Sequence, residues 1–297
     1  MIHQEVADTM HAAMQTGEHG EASGNVFAEL LHHIQDSSEL DLWPFGTIEL
    51  PHFAPFQIGG ITIDLSITKH VVFLWVAAVI VIVLTATAAR KNLRTSSPRG
   101  VGNLIELFVM YIRDEIVIPN MGTAGVKYLP YLLTTFFFIL TMNLLGLIPY
   151  GASATGNVSV TAGLAGIAFL VIQFSAIRAQ GFTHYLAHLT GGVHWMLWII
   201  MIPIEVLGLF TKPFALCIRL FANMTGGHIV IVSLIGLVFL FKSYAIAPVP
   251  ILFVVGINML ELFVAFLQAY IFTMLTSLFM GLGMQVAHAE ADSHNKH

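Results

Sequence analysis

From Trp195 to Phe241 the chain runs for 47 residues with only three formal charges, Glu205, Lys212 and Arg219, in an otherwise mostly apolar stretch. As a single helix rising 1.5 Å per residue, it would reach ~70 Å, more than twice the ~30 Å hydrocarbon core of a bilayer. A charge at the bilayer centre costs roughly 2.5–3.5 kcal/mol on insertion scales. An arginine cannot escape that cost by losing its proton, because its pKa lies above ~12. Any fold of this chain must therefore give Arg219 a partner, a water-filled cavity or a route to the surface.

The rest of the sequence is equally apolar. Of 297 residues 57% are hydrophobic and 10% charged, and mean hydropathy is +0.82. Soluble domains carry ~25% charged residues, so the composition describes a polytopic membrane protein, and its helical spans make the expected fold all-α. The single cysteine, Cys217, excludes an internal disulfide. Residues 1–68 hold ten acids and no lysine or arginine, which excludes nucleic-acid binding there and suits the positive side of a membrane. The N-terminus has neither a signal peptide's basic and apolar regions nor the Arg-rich look of a mitochondrial presequence.

In chain order, residues 1–42 are polar, acidic and histidine-rich, with an amphipathic helix expected near 25–36. Residues 43–66 are dense in aromatics and prolines, a composition that suits the membrane interface. ITIDLSI (61–67) alternates as a short strand or a surface loop. The first span is expected over 71–89, closed by Arg90, Lys91, Arg94 and Arg99. That basic loop reads as cytoplasmic, placing the N-terminus outside and, with the later spans, the C-terminus inside. Residues 101–127 carry Glu106, Arg113, Asp114, Glu115 and Lys127 among apolar neighbours, the pattern of a helix lying in the cytoplasmic interface. Two further spans follow, 129–149 and 158–177, then a short polar loop (179–194). Within the long segment Pro213 either splits it into two spans or sits in one steeply tilted helix. After a turn over 242–250, the last apolar segment runs from 251 to about 284. The expected divisions are an extracytoplasmic acidic segment (1–66), a transmembrane domain (67–286) and a disordered polar tail (287–297).

Polar residues in the two long segments form sparse stripes. Glu205 and Arg219 are fourteen residues apart, close to four helical turns, so they share a face without touching. Asn223 lies one turn beyond Arg219, while His228 is nine residues on, near the opposite face. In the last segment Glu261 and Gln268 face one way, with Asn258 one turn before Glu261. In an antiparallel hairpin Arg219 and Asn223 can approach Gln268, and His228 can approach Glu261. A carboxyl and an imidazole that exchange a proton, beside a permanently charged arginine, are the parts of a proton relay. The plainer alternatives weigh most at Asn143 and Asn258, because a lone amide in a span ordinarily joins helices. Lys212 ordinarily snorkels, and Glu261 could serve only to neutralise His228. Arg219 has the weakest structural alternative.

Other patterns are weaker. His184 and His188, with His194 nearby, resemble metal-ligand spacing, but there is no HExxH and no acid between Arg178 and Glu205. A surface loop is the expectation, with no metal and no cofactor. There is no P-loop, dinucleotide fingerprint or GxSxG, hence no evident nucleotide or hydrolase site in this chain.

KPFALCIRLFANMTGGH (212–228), LQAYIF (267–272), MNLLGLIP (142–149) and the IPIE run ending at Glu205 together resemble subunit a of the F-type ATP synthases, the stator of the membrane proton motor. The resemblance covers roughly residues 70–285. It implies one upright N-terminal span, an interfacial helix, a two-span hairpin and two long tilted helices curving around a rotating c-ring. The implied partners are the c-ring, b-type peripheral stalk subunits and the rest of the synthase, within a bacterial inner membrane. Arg219 matches the arginine facing the rotor carboxylate, where it separates two offset half-channels. Asn223, His228, Glu261 and Gln268 match the entry half-channel, Glu205 the exit side, and Asn143 a polar residue on the neighbouring hairpin. In several relatives the acid stands at 228 and the histidine at 261, the reverse of this chain. Some members also carry an acid at position 146, which is glycine here. A sodium-driven motor differs on the rotor rather than in this chain. From another class, a secondary transporter would use Arg219 as a midplane anion site, but such proteins often carry inverted repeats, and none is visible.

Overall fold

The computed structural model describes residues 39–42, 46–49, 51, 56–58, 61–63, 68–94, 100–148, 153–189, 198–241 and 248–294. The expected amphipathic helix near 25–36, and His194, lie outside the described residues. Two small antiparallel hairpins come first: β1 (Glu39–Leu42) pairs with β2 (Gly46–Glu49), and β3 (Phe56–Ile58) with β4 (Ile61–Ile63). The first part of the ITIDLSI stretch is thus a strand. These hairpins are a minor addition to an all-α fold.

Helices follow in the order α1 (Lys69–Arg94), α2 (Val101–Tyr111), α3 (Ile118–Met121), α4 (Leu129–Gly146), α5 (Val158–Gln180), α6 (Phe182–Leu189), α7 (Trp198–Phe241) and α8 (Pro248–His294). Five segments are long and apolar enough to cross a membrane: 69–90, 123–146, 158–180, 198–237 and 248–284. The first and third match the expected spans to within three residues at each end, whereas the second begins at 123, six residues before the expected 129. A π-helical stretch, Ile112–Val117, joins α2 to α3. Its charged residues Arg113 and Asp114 lie 3.8 Å apart and are half exposed, while Ile112, Ile116 and Val117 are buried. Leu104, Leu107 and Met110 on α2 are more than half exposed, an apolar face that suits lipid contact.

The local signals are conventional. Asn157 caps α5, its side-chain oxygen accepting from the Ser159 N–H at 2.8 Å. Gly122 (φ 64°) and Gly181 (φ 84°) end α3 and α5 in the left-handed region that favours glycine. The region 182–189, expected as loop, is helical. Pro213 does not split the long segment: α7 is one helix of 44 residues holding both Pro203 and Pro213. The magnitudes explain why. An internal proline costs ~3 kcal/mol, whereas breaking a helix in hydrocarbon strands several backbone groups at a few kcal/mol each. The last helix also runs past the expected boundary at 286, through His294. No glycine or proline interrupts VAHAEADSH, and its alanines favour helix.

Two compact units emerge. One takes residues 1–69 and 224–263; the other takes 70–223 and 264–297. Both α7 and α8 run from one unit into the other along the chain. The second unit holds the main core, in which Ile112, Ile116, Leu132, Phe136, Ile139, Leu216, Leu220, Phe272 and Met280 are all almost fully buried. Phe108 packs against Phe136 and Phe266, each with ring centroids 5.6 Å away. Such pairs add roughly 0.5–1.5 kcal/mol beyond area burial.

The C-terminal part of α8 packs through glycines. A Cβ at Gly281 would collide with the Asn120 carbonyl oxygen, and one at Gly283 would stand 2.8 Å from the Ala176 Cβ. Gln180 Nε2 donates to the Gly283 carbonyl at 2.6 Å. Small residues let backbones approach this closely where water supplies no hydrophobic force between helices. The Gly281→Ala variant should lose roughly 1–3 kcal/mol to overpacking against backbone that cannot yield. A lowered midpoint in thermal unfolding of the detergent-purified protein is the expected result.

Candidate functional site

On α7 the residues Leu216, Cys217, Leu220 and Met224 are buried, spaced to mark the face that packs inward. Phe214 and Ile218 are exposed. Arg219 sits between these faces, half-buried. Among the described residues it makes no salt bridge or hydrogen bond. Glu205 and Lys212 are also half-buried on the same side of the helix, as multiples of seven residues require. They do not pair with each other among the described residues. Lys212 instead holds its Nζ 5.0 Å from the centre of the Phe279 ring, a cation–π contact rather than a simple reach to the surface.

One turn past Arg219, Asn223 Nδ2 donates to Gln268 Oε1 at 2.8 Å. The expected approach of the two long helices at these residues is therefore made by a direct bond. Gln268 is almost fully buried. Three residues before it, the Ala265 carbonyl accepts from Asn143 Nδ2 at 3.4 Å. Asn143 Oδ1 accepts from the Thr155 hydroxyl at 2.7 Å, and Thr155 bonds Ser153 Oγ at 2.7 Å. Because the Thr155 proton is committed to Asn143, Ser153 must be the donor in that second bond. Ser153, Thr155 and Asn143 are all buried, so this network leaves few polar atoms unsatisfied where that would be costly. Asn143 thus bonds α4 to α8. Asn258 makes no such bond between helices among the described residues. It is exposed, and its Nδ2 returns to the Val254 carbonyl of its own helix at 3.1 Å.

The other unit contains the acid and imidazole. Glu261 is 5% exposed, and neither carboxyl oxygen has a hydrogen-bond partner among the described residues. Its carboxyl lies over Gly227, next to His228 in sequence: a Cβ at 227 would meet the carboxyl oxygen, with Cδ at 2.8 Å. His228 is half-buried. The two side chains belong to adjoining positions with no hydrogen bond between them. Gly226 is unlike its neighbour, since a Cβ there would meet nothing within 4 Å. His184 lies on α6, half-buried, and the side chain of His188 is outside the described residues. Among the described residues no group of three or more His, Cys, Asp or Glu could hold a metal ion.

The ATP synthase A chain family model matches residues 71–281. This chain belongs to the ATP synthase A chain family. It is 52% identical over 291 residues to ATP synthase subunit a 2 of Chlorobaculum tepidum, covering 97% of this chain and 80% of that protein. It is 50% identical over 275 residues to ATP synthase subunit a of Chloroherpeton thalassium, covering 90% and 81%. It is also 50% identical over 237 residues to ATP synthase subunit a of Myxococcus xanthus, covering 79% and 78%. With five helices apolar enough to span a membrane, this chain is a multi-pass protein of the bacterial inner membrane.

The departure at Gly146 has a local cause. A Cβ there would stand 2.9 Å from Ser153 Oγ and 3.0 Å from its Cα. The turn at 153–156 occupies the space an acidic side chain would need. Sequence reasoning missed Ser153, Thr155 and Gly227. The first two do carry a signal, since YGASATGNVS is a linker rich in hydroxyls between two apolar spans. Gly227 carries none, because its neighbour Gly226 looks identical in sequence.

Thr155→Val keeps the shape but removes the proton given to Asn143, at a cost of roughly 1–3 kcal/mol. A lower thermal midpoint for the assembled complex checks this. Gly227→Ala should displace the Glu261 carboxyl and reduce proton conduction severalfold with assembly intact, while Gly226→Ala stays near wild type. Fluorescence quenching of a pH dye in inverted vesicles measures both.

Proposed function

We propose that this chain is the stator of a proton-driven synthase, forming two offset half-channels against the c-ring and coupling proton flow to rotation. The observation that carries the reading is Arg219: a permanent cation, half-buried in a 44-residue apolar helix, with no anion bonded to it among the described residues. A rotor carboxylate supplies the missing anion transiently. Two unit charges ~4 Å apart attract by ~4 kcal/mol at an effective permittivity of ~20. That equals about three powers of ten in proton affinity. A protonated rotor carboxyl arriving from lipid would therefore release its proton beside Arg219, and the same cation would repel a proton trying to pass straight through.

Gln268, Asn223, Glu261 and His228 form the entry half-channel in this reading, and Glu205 receives the proton on the exit side. Support comes from the Asn223–Gln268 bond, which gives the entry side a fixed polar wall. It comes also from the uncommitted carboxyl oxygens of buried Glu261. Asn143 and Asn258 are secondary residues of the pathway, Asn143 by holding α4 to α8. The length of α7, ~66 Å at 1.5 Å per residue, and of α8 fits two steeply tilted helices flanking the rotor. The b-type peripheral stalk subunits anchor the stator. The acidic segment 1–66 faces outward and the C-terminus inward, following the basic residues after α1.

In assembled membranes, Arg219→Ala should abolish ATP-driven proton pumping, a loss of two or more powers of ten, with the c-ring still co-purifying. Tight coupling retained in that variant defeats the proposal.

A further inference from the structure

Glu205 is the only carboxylate between Glu115 and Glu261, so whatever surrounds it governs how a proton leaves. Within the same unit, α5 and α6 meet end to end at Gly181. There the Tyr185 hydroxyl donates to Gln173 Oε1 at 2.5 Å. Gln173 belongs to a membrane-spanning helix, but its partner stands on a short helix outside the five spans. An amide in a span ordinarily bonds another spanning helix. Here it reaches instead for a phenol at the helix end. Burial raises the Tyr185 phenol above its usual range, and the negative charge of Glu205 raises it further. Geometry places the two groups together: Phe169, one turn before Gln173 on α5, stacks on Phe210 of α7 with ring centroids 5.7 Å apart. The two helices, running in opposite directions, thus bring Gln173 and its phenol partner level with Glu205, five residues before Phe210.

We infer that Tyr185, oriented by Gln173, is a positioning residue at the outlet of the exit half-channel, holding the water that takes the proton from Glu205. The inference rests on the assignment of Glu205 to the exit side. The phenol keeps its own proton at neutral pH, since its ionisation is pushed upward, so it is not a carrier. Its O–H is committed to Gln173, which leaves the oxygen lone pairs free to act as acceptors. The proton passes from the Glu205 carboxyl to water, and Tyr185 fixes that water by accepting one of its hydrogens. Charge balances because the carboxylate left behind is refilled from the rotor. Simple anchoring of α6 would use the same Tyr185–Gln173 bond but would not need the phenol beside the one carboxylate of the region.

The test uses the complete synthase in inverted membrane vesicles. Passive proton flux is read after the catalytic sector is stripped, with co-purification of the c-ring as the assembly control. Tyr185→Phe should lower passive flux about fivefold, the effect of one ordinary hydrogen bond on a barrier, and should raise the solvent deuterium isotope effect on that flux. Tyr185→His, which restores a ring donor to Gln173, should recover most of it. Wild-type flux in a fully assembled Tyr185→Phe complex overturns the inference. Should that variant fail to assemble, Gln173→Leu decides, with normal flux overturning the outlet and reduced flux supporting it. A normal Tyr185→Phe beside an uncoupled Arg219→Ala removes the outlet alone. A coupled Arg219→Ala removes the stator reading beneath it.

Discussion

A guanidinium in hydrocarbon has no private way to become neutral, and the structure is arranged around that constraint. Arg219 stands at the edge between the packed and exposed faces of α7, where it belongs wholly to neither. Leu216, Leu220 and Met224 fix the helix against its neighbours. The polar groups nearest in sequence to Arg219 are then satisfied by one another, Asn223 by Gln268. Lys212, the other cation of the segment, is shielded by the Phe279 ring. The net effect is a charge held in place by packing and left available electrostatically.

Behind this face lies a second layer of order. The chain Ser153–Thr155–Asn143 ends on the Ala265 carbonyl, one turn before Gln268. A turn between two spans thus determines where an amide on the last helix stands. Each bond contributes only ~1 kcal/mol net, yet an unmade one inside the core would cost more. The arrangement is therefore better understood as specifying geometry than as adding stability.

Much of this was legible in the sequence. Apolar runs of about twenty residues set the spans, because backbone polar groups in lipid leave few alternatives to a helix. Spacing by 3.6 put Asn223 on the Arg219 face and brought it to Gln268. What stayed hidden depended on partners far apart in the chain. Nothing local distinguishes Gly227 from Gly226, and the difference is the carboxyl of Glu261, on the next long helix. Pro213 reads as a breaker in isolation, and only the hydrocarbon setting makes an unbroken helix cheaper than a turn. The stretch 182–189 reads as a polar loop because its two histidines draw attention from its apolar residues, though the backbone winds into helix.

Both prolines of α7 lie on the N-terminal side of Arg219, at 203 and 213. Each deletes one backbone hydrogen bond, so bending compliance is concentrated in that half. From Leu216 to Asn223 the helix holds neither proline nor glycine. A sideways thrust delivered near the arginine would be absorbed as flexure toward Trp198, leaving the two turns from Leu216 to Asn223 mechanically stiff.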